Sequence, residues 1–398
     1  MIFKKGELKI LYPFYLYYLI IGLSGMIIPF MMIYFLGLNL SYLQISIILA
    51  TYSLSMVLFE IPTGSFADGF SRKYSVILGF IIAGLAIIGI TLTTNFVLIL
   101  TTFIIIGFGM TLVSGAEESW VIDNLNYYKR EDLHKEFFIK MQSILGFAGI
   151  ISPLIGSYIV KNFSIKPLWY IWGFGFILGA IILLIISKEK YIPKKTNLKN
   201  TFKETMKHTK KGFKFVKTHT QTKLIILATI FIAMIGISDE YWQPFLIEIN
   251  MPTYYLGILF SIISLISMII PFSARYLEKY NVKHSLIIIT ILRILITIPV
   301  LFLTSGSYLL GASIFIFSNG LLSLRFPLIE PLYHSNIPKK IRATITSIKS
   351  MGTQVGLGVG SLIIGYFADI IGPQKIIPLT GLFGIIAIFF LAKIKSKP

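Results

Sequence analysis

The chain has 398 residues, 55% with apolar side chains and only 13% charged, a balance that excludes a water-soluble globular fold. A formal net charge of +19 would suit nucleic acid if the bases gathered in one soluble region, but they recur at the ends of apolar runs, as membrane orientation requires. There is no cysteine, hence no disulfide or thiolate metal site, and the five histidines show no paired metal-ligand spacing.

Twelve apolar runs are long enough to cross a hydrocarbon core of ~30 Å as helices, and no β-barrel alternation is present. The expected fold is an all-α membrane protein with twelve transmembrane helices in two pseudo-symmetric six-helix bundles. Span one, about 10 to 36, is too long for a signal-peptide core and lacks a cleavage pattern, so it is expected to be retained. Its Gly22, Gly25 and Pro29 suit close helix contacts and bending. The short turn Gly37 to Ser41 makes span two, about 42 to 64, its antiparallel neighbour. A charged hairpin follows, with Glu60, Pro62, Gly64, Asp68, Arg72 and Lys73, and leads into span three at about 74 to 93.

Span four, about 96 to 122, is the most acidic run and ends with Glu117, Glu118 and Asp123. Acids within a span are costly and mark function. At helical spacing, Gly107, Thr111, Ser114 and Glu118 form a small and polar stripe, while Glu117 shares a face with Met110, Val113 and Trp120. Glu118 is therefore the better cavity residue, and the rise per residue puts both acids in the inner third of the bilayer. Span five, about 135 to 161, carries Gly149, Ser152, Pro153 and Gly156, a place for tight helix packing. Span six, about 167 to 187, starts with Trp169, Tyr170 and Trp172 as an interfacial belt.

Residues 188 to 223 hold twelve Lys against Glu189 and Glu204. Leu198, Phe202, Met206, Phe213 and Val216 fall near one helical face there, which is the pattern of a helix on an anionic inner leaflet; a solvated tether is the plainer alternative. Spans seven to twelve follow at about 223–247, 253–275, 284–303, 307–332, 340–366 and 374–393. They echo the first six: Gly22 and Ser24 in Gly236 and Ser238, Tyr42-Leu43 in Tyr255-Leu256, and Lys140, Gly149, Ser152 and Gly156 in Lys349, Gly358, Ser361 and Gly365. The expected organisation is an N-terminal bundle over 1–187, a basic linker over 188–222 and a C-terminal bundle over 223–398.

In the second half, Asp239 and Glu240 are expected toward the outer third of span seven, with Trp242 and Gln243 as an aromatic wall and a hydrogen-bonding group for a ligand. Alternatives stay open: Glu118 pairing with Lys140, Asp239 meeting Lys349, Trp242 as an interfacial anchor. Arg293 falls near mid-bilayer and must pair with an acid or face water. Arg325 and Glu330 lie near the inner end of span ten, as a gate salt bridge or ordinary positive-inside charge.

The residues so far resemble the major facilitator superfamily over the whole chain. Gly64, Asp68, Arg72 and Lys73 match the core of its loop between spans two and three, and the fuller Glu60-x-Pro62-x5-Asp68-x3-Arg72-Lys73 is similar to a tetracycline-efflux variant of it. The stretch Ala148 to Ser157 resembles the span-five motif of drug/proton antiporters. The resemblance implies that spans one, four, seven and ten line the central cavity and that Asp68 with Arg72 locks the halves. Two departures stand out: span four lacks the arginine frequent in such antiporters, and the duplicate loop, Ser273 to His284, has lost its acid and proline.

No phosphate loop and no catalytic triad occurs, so neither direct ATP coupling nor an enzyme is expected, and no cofactor. Carboxylates partly withdrawn from water can exchange a proton in the physiological range. The expected function is secondary active transport by alternating access, most simply proton-coupled efflux of an amphiphilic or cationic small molecule, with sodium as the other coupling ion. A metabolite importer and a non-transporting sensor or scaffold are the rivals. With both termini in the cytoplasm, only Lys161, Lys166 and Lys375 fall outside and only Arg293 and Arg325 within spans, which fixes the orientation; a monomer in the cytoplasmic membrane is expected.

Overall fold

The computed structural model describes residues 3–190, 198–277, 279–338 and 341–395, and all regular structure among them is helical. Eleven segments are long and apolar enough to cross a membrane. The last, Thr344–Ala392, is two crossings, because Gly372 interrupts it at φ 79° and Pro373 then opens a new helix. Glycine takes that positive φ without steric cost, and proline is preset for a first helical turn. The fold is thus a twelve-span helical membrane protein.

Spans one, four, seven and ten are broken partway, and span eight passes through a 3-10 turn at Ile270–Ser273 before Ala274–Leu277. Span one runs Glu7–Ser24 and resumes at Met31–Gly37; span four is Phe96–Val113 then Ala116–Tyr127; span seven is Thr220–Ile235 then Ser238–Glu248; span ten is Tyr308–Ser323 then Arg325–Ser335. Local chemistry accounts for each interruption. Gly25 and Gly236 follow their first segments, Gly115 sits at φ 72°, and Pro327 has no N–H to offer the carbonyl four residues back. The remaining long spans are Tyr42–Gly69, Arg72–Gly89, His134–Asn162, Lys166–Ile186, Tyr255–Ile269 and Val282–Thr297.

The chain packs as two compact units, one of Met1–Ile28 with Ser55–Met206, the other of Pro29–Leu54 with Lys207–Pro398. In the first, spans three and six cross backbone to backbone: a Cβ on Gly84 would lie 2.7 Å from the Gly173 carbonyl, and the reverse holds for Gly173. Such crossings give dispersion contacts that larger side chains would prevent, which matters where lipid is as apolar as the helix. Ala148 of span five closes on Gly22, while Ser152, Pro153 and Gly156 are buried and Gly149 is half-buried. In the second unit, spans seven, nine, ten and twelve share a core that includes Ile225, Leu286, Leu328 and Leu391.

The duplication persists in individual hydrogen bonds. Lys73 Nζ donates to the carbonyls of Leu184 (2.9 Å) and Ser187 (2.7 Å) at the end of span six, and Lys283 Nζ does the same to Ala392 (2.7 Å) and Ile394 (2.9 Å) at the end of span twelve. The expected loss of the acid from the second loop does not hold, since Glu278 stands five residues before Lys283 as Asp68 does before Lys73, and the loop's lysine keeps the same task. The linker holds a helix at Leu198–Thr218. Phe215 and Val216 pack on the core of the second unit and Gly212 abuts Thr344 and Ile348, whereas Phe213 is exposed. Met206 is half-buried; the side chains of Leu198 and Phe202 lie outside the described residues.

Candidate functional site

Glu117 and Glu118 occupy the first turn of Ala116–Tyr127, directly after the Gly115 break. Gly115 brings no capping side chain, so the N–H groups of that turn and the helix dipole favour the adjacent acids. The break also divides the expected stripe: Gly107 and Thr111 are buried in the upper segment, whereas Ser114 and Glu118 are exposed. Glu117 Oε1 is buried without a hydrogen-bond partner, and no ion pair forms at either acid among the described residues. Tyr18 is within electrostatic reach of Glu118.

Lys140, the cation considered for Glu118, is held elsewhere. Its Nζ meets both carboxylate oxygens of the fully buried Glu7 at 2.5 and 2.6 Å, and Tyr15 donates to the same group at 2.9 Å. The duplicate Lys349 pairs with Glu330 at 2.5 Å and lies 4.2 Å from the Tyr333 ring centroid. Both lysines of the repeat are therefore neutralised by acids of other spans, one from span one and one from span ten.

Asp239 and Glu240 lie in the first turn of Ser238–Glu248, again just past a break. Asp239 Oδ1 accepts from Arg293 Nη2 at 3.0 Å, and Arg293 Nε donates to Ser318 Oγ at 3.1 Å. Arg293 is 2% exposed and its Nη1 has no partner. Arg325 donates to the Ile232 carbonyl at 3.4 Å, so in this unit Glu330 is the partner of Lys349 and not of Arg325. Glu240 forms no ion pair among the described residues. Trp242 is fully buried and stacks on Phe315 with centroids 4.9 Å apart, and Gln243 Oε1 accepts from the Met32 amide at 3.2 Å.

The hairpin residues form a third constellation. Arg72 bridges Asp68 (3.2 Å) and Asp123, and Asp68 itself is exposed. Glu189, beyond span six, accepts from the Ser71 hydroxyl (2.5 Å) and from the amides of Arg72 (2.7 Å) and Lys73 (3.1 Å). A carboxylate on those unsatisfied N–H groups anchors the start of span three. Glu60 and Gly64 lie within the single helix Tyr42–Gly69, both half-buried.

Sequence reasoning missed Glu7, Asp123, Glu189 and Asp369 as partners. Asp369 of span eleven accepts from the amides of Tyr42 (2.8 Å) and Leu43 (3.0 Å), Tyr241 and Ser46 share a hydrogen bond at 3.0 Å, and Tyr42 reaches Glu248 at 3.5 Å. The chain has only 17 acids, and asking which helix start each could cap would have singled out Asp369 and Glu189.

Residues 14–361 match the Major Facilitator Superfamily. The chain is 22% identical over 384 residues to "Uncharacterized MFS-type transporter YxaM" of Bacillus subtilis (strain 168), covering 96% of this chain and 93% of that protein. It is 25% identical over 200 residues to the "Bicyclomycin resistance protein homolog" of Haemophilus influenzae, 46% of this chain and 48% of that one. The crystal structure of the nucleoside transporter NupG has the same fold, with a TM-score of 0.78 at 14% identity over 96% of this chain and 98% of that one. With its twelve spans and a family match over most of its length, the chain belongs to the Major Facilitator Superfamily and is a multi-pass membrane transporter, not an enzyme.

Proposed function

We propose that the protein is a proton-coupled exporter of amphiphilic or cationic small molecules from the cytoplasm, working by alternating access between the duplicated halves 1–187 and 223–398. The observation that carries this reading is the pair Glu117 and Glu118: adjacent acids at a helix break, one with a buried oxygen lacking a hydrogen bond, and neither in an ion pair among the described residues. Acids so placed need either a proton or a cationic ligand, and exchange of one for the other is the elementary step of an antiport cycle. Sodium could take the proton's place in the same scheme. Asp239, already matched to Arg293, tunes the second half, and Glu240 is the spare acid there. Asp68 with Arg72 acts as the lock of the loop between spans two and three, which leaves the substrate untouched.

The test is uptake of a panel of fluorescent cationic dyes and tetracycline into inside-out vesicles under an imposed pH gradient. Gradient-dependent accumulation that falls at least tenfold in Glu118→Gln is the expected result. Accumulation of no compound in the wild type would overturn the exporter reading and direct the search to metabolites. Accumulation undiminished in both Glu117→Gln and Glu118→Gln would remove these acids from the coupling step.

A further inference from the structure

At one end of the first unit, a cavity of about 400 Å³ opens between the start of span one and the ends of spans four and six. Its walls are of two kinds. Ile10, Pro13, Phe14 and Ile186 form an apolar side, and Lys9, Arg130 and Lys188 bring three cations to the other. Neither ammonium makes an ion pair or hydrogen bond among the described residues, while Arg130 is shared with Asp132 at 2.8 and 3.0 Å and with the Lys5 carbonyl at 2.8 Å. Even with Asp132 counted against them, the cations leave an uncompensated positive surplus.

The pocket is held open by fixed backbone. Asn124 in its wall donates to the Lys188 carbonyl at 2.7 Å and accepts from the Lys190 amide at 3.0 Å, and Trp120 Nε1 reaches the same Lys188 carbonyl at 3.2 Å. Lys188 is thereby pinned at the rim although its side chain is exposed. Gly6, the N-cap of span one, completes the lining on that side. Glu7, next to Gly6, is fully buried and paired with Lys140, and Glu189, next to Lys188, is engaged by Ser71 and the amides of Arg72 and Lys73.

We propose that this pocket binds the phosphate of an anionic phospholipid, with the headgroup between Lys9, Arg130 and Lys188 and an acyl chain along Ile10 and Ile186. An amphipathic cleft with a surplus of cations at a helix-bundle end matches a phosphodiester carried by an apolar tail better than a free ion, which would leave the apolar wall uncovered. The site is distinct from Glu117 and Glu118 and does not rest on the direction of transport.

The experiment uses the purified full-length protein in detergent, with bound lipids counted by native mass spectrometry after titration with phosphatidylglycerol, phosphatidylcholine or inorganic phosphate. One phosphatidylglycerol retained at the lowest concentrations is expected, with a roughly tenfold or greater loss of apparent affinity in the double variant Lys9→Gln/Lys188→Gln and recovery in Lys9→Arg/Lys188→Arg. The linker variant Lys214→Gln/Lys217→Gln should keep that first lipid, which separates the pocket from the basic linker helix. Equal retention of phosphatidylcholine, unchanged affinity in the glutamine pair, or displacement of the lipid by millimolar inorganic phosphate would each overturn the proposal, the last by naming soluble phosphate as the ligand. If the glutamine pair does not fold, the wild-type comparison of the three ligands still decides.

Discussion

Asp239 and Arg293 stand 54 positions apart in the chain and meet at 3.0 Å with the arginine almost wholly buried. A buried ion pair adds little net stability, but removing one partner strands the other charge in a medium that cannot solvate it, at a cost of about 3–5 kcal/mol. Arg293→Met and Asp239→Asn should therefore each lower the thermal midpoint of the detergent-solubilised protein by several degrees, whereas the double variant should recover much of the loss. A strictly additive double variant would mean that the two groups do not interact in the folded protein. Both residues were visible in the sequence as ionisable groups within spans, but their pairing was not. Periodicity says which residues share a face of one helix and nothing about which helix lies opposite. The same limit hid Glu7, whose burial against Lys140 and Tyr15 depends on span five lying beside span one.

At the scale of the helix, the sequence located all twelve spans, because length and apolarity decide membrane crossing without reference to tertiary contacts. Gly25 and Pro29 marked the bend in span one, but the interruptions of spans four, seven and ten were not disclosed. The Ser114-Gly115 step is the available signal, a turn-favouring pair in an otherwise helical run, and it divides the stripe that helical spacing alone would carry through Glu118. The repeated lysine cap is a device of the same scale: Lys73 and Lys283 each supply a cation and a donor to a helix C-terminus whose last carbonyls have no intrahelical partner. Lys73→Met and Lys283→Met should each cost about 1–2 kcal/mol by loss of a charge-assisted hydrogen bond, read as lower midpoints of similar size. If Lys283→Met were silent while Lys73→Met was not, the second cap would be a geometric remnant without energetic weight.

For the whole molecule, the internal duplication was legible as offsets between matching residues, and both halves were expected to be units of six spans. In the packing, residues 29–54, the later part of span one and the earlier part of span two, group with residues 207–398. Their bonds explain why, since Asp369 caps the start of span two, Tyr241 meets Ser46, and Gln243 takes the Met32 amide. Small residues let the backbones close there, and a Cβ on Gly358 would stand 3.8 Å from Ala50 Cβ. That separation suits a disulfide, and the chain has no cysteine of its own to compete. If alternating access requires this end to open in every cycle, Ala50→Cys/Gly358→Cys should transport when reduced, stop when oxidised, and resume on reduction, while the single variants ignore oxidant. Full transport with the crosslink complete by mass would mean that residues 29–54 stay with the second half throughout, and that the moving boundary lies at the Ile28/Pro29 and Leu54/Ser55 junctions inside spans one and two.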